Sequence, residues 1–126
     1  MVKDNELIAL TNNGGLDEVL KPLVKEIFLF DTRVAGTTHL ADKSVLDEIK
    51  EGDKLSLRRE ENKFDEKAIA ILTQSGKKIG YVPEADNVVF SRLMDAGKVL
   101  SAAITSIKNK GGDFKLISIS IFLLDF

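Results

Sequence analysis

The sequence predicts a mainly β (α+β) fold: a small six-stranded, OB-like β-barrel with one or two short helices, preceded by an N-terminal helix. Three observations lead there. Short runs of period-2 alternation recur along the chain, Leu55 and Leu57 among polar neighbours and then Ile69 and Ile71, as half-buried strands require. The run FKLISISIFLL from Phe114 has few polar residues and must pair inside a sheet, because an unpaired apolar edge recruits other chains. About six short strands resolve that edge problem by closing on themselves.

The elements follow in order. Leu16, Val19, Leu20, Leu23, Val24, Ile27 and Phe28 fall at helical spacing and mark one apolar face. Pro22 interrupts them, and a proline beyond the first turn costs a helix about 3 kcal/mol. The expectation is a short helix after Gly15, kinked or restarted near Pro22, behind a frayed stretch ending in Thr11 to Gly15. A strand is expected over Glu26 to Gly36. Ser44 reads as the N-cap of a brief helix that runs through Ile49 and stops at Gly52. The turn Thr73 to Gly76 closes a hairpin onto a strand over Lys77 to Val82, which Pro83 ends. Val88, Val89, Leu93 and Met94 make a helical stripe up to Gly97, read as core. Two strands, Val99 to Lys108 and Asp113 to Leu124, flank the turn Asn109 to Gly112. The chain divides into an N-terminal extension, residues 1–30, and a barrel, residues 31–126.

Composition narrows the function. With 126 residues, 44% of them hydrophobic, the chain can bury the core of one ordinary domain. It has no cysteine, hence no disulfide framework and no thiolate metal site. No apolar run approaches the roughly 20 residues that span a bilayer, and MVKDNELIAL lacks the pattern of a secretory leader. A cytoplasmic protein without membrane contact is expected. The net charge is −2, from 18 basic and 20 acidic residues, so no broad positive field exists to draw in long duplexes. Nucleic acid would be held by a small local patch with a shallow salt dependence, each neutralised phosphate adding about 0.7 to 0.9 to the slope. Phosphate-loop, dinucleotide, zincin and nucleophile-elbow motifs are all missing from the sequence, so neither an ATPase nor a cofactor enzyme is expected, and no cofactor is implied.

The chemistry concentrates between Leu55 and Pro83, where the charged loop Glu60 to Lys67 interrupts the strands. Read from Arg58 as R-x-E-x-N-x-F-D-x-x-A-I-x-I, then I-G-Y-V-P, with VAGTTH upstream at Val34 to His39, this stretch resembles the HIRAN domain family. The resemblance spans roughly Asp31 to Leu124 and implies an OB-like barrel with the helix at Val88 to Ala96 across one end. It also implies that Asn62, Phe64 and Asp65 hold the terminal nucleotide of single-stranded DNA, the acid hydrogen-bonding a free 3′-hydroxyl. A carboxylate suits that task because it accepts a short charge-assisted bond from a hydroxyl and repels a phosphate. The alternative is that Asp65 and Asn62 bond their own loop backbone while Phe64 caps the core.

Thr38 and His39 occupy positions where the family often has an arginine and an aromatic gripping the nucleotide; threonine removes a phosphate fork, and histidine offers a smaller stacking face. Tyr81 stands where a base would stack, a contact worth about 1 to 3 kcal/mol, and Phe114 matches a pocket-lining aromatic. Arg58, Arg59, Lys63, Lys67, Lys77 and Lys78 supply the concentrated positive charge. Strand alternation turns Arg58 and Arg59 to opposite faces, so one of them, taken as Arg58, can face the pocket. Three readings result: a module for a single-stranded DNA end, a protein-interaction domain of the same fold, and a small nuclease using magnesium held by Glu60, Glu61, Asp65 and Glu66.

Overall fold

A computed structural model describes residues 24–40, 42–61, 63–111 and 115–125. The expected N-terminal helix up to residue 23, Asn62 and Phe114 lie outside the described residues, whereas Ile27 and Phe28, read as the end of its apolar face, belong to a strand.

Six antiparallel strands form one sheet: β1 (Lys25–Arg33), β2 (Lys54–Arg59), β3 (Ile69–Thr73), β4 (Lys78–Tyr81), β5 (Val99–Asn109) and β6 (Lys115–Asp125), in the order β1-β6-β5-β2-β3-β4. The barrel thus begins inside the stretch read as an extension. The chain beyond β1 closes the sheet. Val34 N donates to Ile117 O on β6 at 2.9 Å, and one residue later Ala35 and Tyr81 exchange two backbone bonds of 2.8 Å, joining the first strand to the last in the order.

The seam depends on Gly80. Its φ is +155°, and a Cβ there would collide with the Val34 side chain and the Ala35 carbonyl oxygen. Gly36, next along, has φ +76°, a left-handed conformation that any other residue adopts at a cost. It turns the chain into a 3-10 turn over Thr37–His39.

Alternation delivers the core as the sequence implies. Leu100, Ala102 and Ile104 of β5 face inward with Ile117, Ile119 and Ile121 of β6, and Leu55, Ile69, Ile71 and Ile79 complete the interior. β3 goes further than one-sided alternation, since Ala70 and Leu72 are buried as well as Ile69 and Ile71; it lies between β2 and β4.

Two local expectations need correction. The short helix over Lys43–Asp47 is 3-10, and its cap is Asp42, not Ser44: Asp42 Oδ1 accepts from Ser44 N at 3.0 Å and from Ser44 Oγ at 2.5 Å. A carboxylate two residues ahead of a free N–H is in reach where a serine inside the turn is not. These two bonds, the side-chain one foremost, hold the Asp42 carboxyl below its usual range. The helix α1 (Glu84–Asp95) starts directly after Pro83, four residues before the predicted stripe. Glu84 and Asp86 in its first turn and Arg92 in its last match the polarity of the helix dipole. Its buried residues are Asn87, Phe90 and Ser91; Leu93 and Met94 pack at the core's margin, whereas Val89 is 63% exposed. With Phe90 anchored, the preceding residue is rotated by roughly 100° to the solvent side. The helix is tied down by the Phe30–Phe90 ring contact (5.9 Å between centroids) and by Thr32 Oγ1 donating to Asp86 Oδ2 at 2.8 Å.

Candidate functional site

Closing the barrel through Ala35 and Tyr81 brings four separate segments around one cleft of about 830 Å³, within the size range of small-ligand sites. Ala35, Gly36, His39 and Leu40 form one wall, with Asp42 and Val45 from the short helix. Phe64, Asp65 and Ala68 come from the charged loop. Lys77, Lys78, Tyr81 and Val82 come from the β3–β4 hairpin, and Glu84 from the start of α1.

The charged loop is fixed at both ends. Arg59 at the end of β2 donates from Nη1 to Ala68 O at 2.8 Å and from Nη2 to Glu66 O at 2.9 Å, while its Nε meets Asp95 Oδ1 at 2.8 Å. One guanidinium therefore staples the loop to the end of α1; the pairing raises the Arg59 pKa and lowers that of Asp95. Asp65 is held from two sides: Oδ1 accepts from Lys67 N at 2.9 Å, and Oδ2 accepts from the buried Asn87 Nδ2 at 2.7 Å. The first contact is a local loop bond. The second sets the carboxylate at the cleft from the helix beneath.

Phe64 is 84% exposed, with Lys63 Nζ 5.1 Å from its ring centroid. It does not cap the core. Tyr81 is fixed by Lys78, whose ammonium donates to Tyr81 Oη at 2.9 Å and to Glu60 Oε1 at 2.7 Å and lies 4.9 Å from the tyrosine ring centroid. Salt bridging to Lys78, then the nearby Tyr81 hydroxyl, holds the Glu60 carboxyl below its ordinary value; the same contacts raise Lys78.

Of the residues singled out from sequence, His39, Phe64, Asp65 and Tyr81 share the cleft wall. Thr38 and Arg58 are exposed and stand outside that lining: Thr38 lies within the 3-10 turn, and Arg58 follows the strand alternation outward. Asn87, Lys77, Lys78 and Glu60 complete the site's polar framework. Asn87 is a polar residue one turn before the apolar anchor of a helix, and that placement is the signal in the sequence that marks it. Among the described residues no group of three or more acids or histidines gathers to hold a metal; Glu60 turns to Lys78 and Asp65 to Asn87. No helix among the described residues is long and apolar enough to cross a membrane.

Among the described residues, a sheet closed through the Ala35–Tyr81 bridge, with a loop-walled cleft beside it, forms a small OB-like barrel module. The chain belongs to the HIRAN domain family, whose pattern it matches over residues 27–122. Its fold is similar to a crystal structure of a protein from Lactobacillus plantarum, solved as a structural genomics target, with 24% identity, a TM-score of 0.74, and coverage of 82% of this chain and 99% of that one. It is also similar to the HIRAN domain of human HLTF, at 14% identity and a TM-score of 0.59, covering 79% of this chain and 78% of that one. No curated protein matches the sequence.

Proposed function

We propose that this protein is a non-catalytic nucleic-acid-binding module that takes the end of single-stranded DNA into the cleft and prefers a free 3′-hydroxyl. Family membership supports nucleic-acid binding as the general class. The observation that carries the finer reading is the presence of Asp65 in one cleft wall with Phe64, His39 and Tyr81. The carboxylate accepts the terminal hydroxyl, flat side chains stack the last base, and a 3′-phosphate meets charge repulsion at the same point. The family resemblance implies a nucleotide contact for Asn62 and Phe114 as well; both lie outside the described residues. The setting proposed with this activity is DNA repair or processing in a bacterial cytoplasm.

Fluorescence anisotropy with short single strands ending in 3′-hydroxyl or 3′-phosphate tests the proposal. Tighter binding of the hydroxyl form is expected. Asp65→Ala is expected to erase that preference, since a hydrogen bond to a charged group contributes about 1.5 to 3 kcal/mol, roughly ten- to hundredfold in affinity. Equal affinity for both ends rejects it. A peptide-binding module is the alternative, favoured by the exposure of Ile27 (41%), Phe28 (55%) and Phe30 (42%), large apolar side chains on the two faces of the terminal strand β1, since exposed apolar surface of this kind meets partners. Absence of any DNA binding at low salt supports that alternative.

A further inference from the structure

We propose that Lys77 is the cation this chain offers to the last internucleotide phosphate of a bound strand, and that Glu48 holds it until the strand enters; the inference rests on the end-binding reading above. The cleft needs such a group. Asp42, Asp65 and Glu84 all line it, Thr38 carries no charge, and an anionic backbone entering among carboxylates requires a compensating ammonium.

Of the basic side chains in the described lining, His39, Lys77 and Lys78, the two lysines are neighbours on one hairpin yet differ in what holds them. Lys78 is committed. Its ammonium bridges Glu60 Oε1 and Tyr81 Oη, and the second Glu60 oxygen, Oε2, is buried with no hydrogen-bond partner. Drawing Lys78 toward a ligand would leave uncompensated a partly buried carboxylate, one oxygen of which is out of water.

Lys77 is under no such constraint. Its Nζ lies 3.0 Å and 3.1 Å from the two Glu48 oxygens, but the side chains of the pair are 51% and 54% exposed, and an ion pair in that much water opens at little cost. The position is also right for a ligand at the cleft. Lys77 immediately precedes β4 and lies near enough to Asp42, on the opposite wall, for its charge to help stabilise that carboxylate.

The test uses the 126-residue chain and a short 5′-labelled single strand with a 3′-hydroxyl, titrated over a range of salt concentrations. Lys77→Met is expected to weaken binding by roughly tenfold at low salt and to reduce the slope of log affinity against log salt by about 0.7. Glu48→Gln releases the lysine and is expected to tighten binding by about two- to fivefold. Glu26→Gln, which frees Lys54 from a comparably exposed pair outside the cleft, is the control for net charge and is expected to change affinity less. Unchanged affinity and slope in Lys77→Met overturn the inference, as does a Glu48→Gln effect no larger than that of Glu26→Gln. Failure of the wild-type chain to bind the strand defeats the end-binding reading itself and is thereby told apart from failure of the lysine assignment.

Discussion

Glu60 carries the sharpest residue-level constraint, because one carboxylate oxygen meets an ammonium at 2.7 Å while the other is buried without a partner. Removing the cation alone should therefore cost more than removing both charges. Lys78→Met is expected to destabilise the fold by about 1 to 3 kcal/mol, and the double variant with Glu60→Gln to recover a good part of that loss, read by urea denaturation as a double-mutant cycle. The sign of the pH effect follows from the depressed Glu60 pKa. The folded state binds this proton less readily than the unfolded chain, so the pair's contribution is complete above the ordinary carboxyl value of 4.5 and is lost as pH falls through the lower folded value. Thermal melting below pH 5 should show that loss in the wild type and less of it in the double variant, pH 5 being about half a unit above the ordinary value. In the sequence, Asp65 and Tyr81 could be singled out because loop acids and strand-end aromatics are conspicuous. Asn87 could not, and Glu60 reads only as one of four acids around a magnesium ion, since what gives each its role is a partner 22 and 18 residues away.

At the scale of elements, helix phase and barrel seam make separate predictions. Phe90 is 7% exposed and Val89 63%. Phe90→Ala is expected to cost about 3 kcal/mol or more, whereas Val89→Glu should stay within about 0.5 kcal/mol; both are read from denaturation midpoints, and a reversed order would contradict the helix phase described. Gly80→Ala places a methyl group against Val34 and the Ala35 carbonyl. A loss of about 2 to 4 kcal/mol is expected from overpacking at this fixed point, visible as a lowered melting temperature. Leu55, Ile69 and Ile71 announced their strands by alternation alone. The helix was legible only in its second half, because its first turn, Glu84 to Asn87, is polar or small and resembles a loop until Pro83 is seen to open it. The Asp42 cap was hidden for a related reason: Ser44 is an equally good capping residue in sequence, and backbone geometry chose between them.

For the whole molecule, closure of six strands into one barrel was legible from the need to pair an apolar final strand. Which residues close it was not, because the Ala35–Tyr81 bridge joins positions 46 apart in the chain through backbone groups with no side-chain signature. With a net charge of −2, long-range attraction to nucleic acid is weak. The salt dependence of binding should therefore correspond to only about one or two phosphates, and a blunt duplex without a free single-stranded end should bind poorly in competition assays.

Tyr81 is at once a wall of the cleft and half of the hydrogen-bonded clasp that shuts the barrel. Anything seated against its ring must also hold the hoop shut. Occupancy should accordingly slow hydrogen–deuterium exchange at the Ala35 and Tyr81 amides more than at β5 and β6 amides remote from the opening, so that the breathing rate of a fastening on the scaffold becomes a gauge of whether the module is loaded.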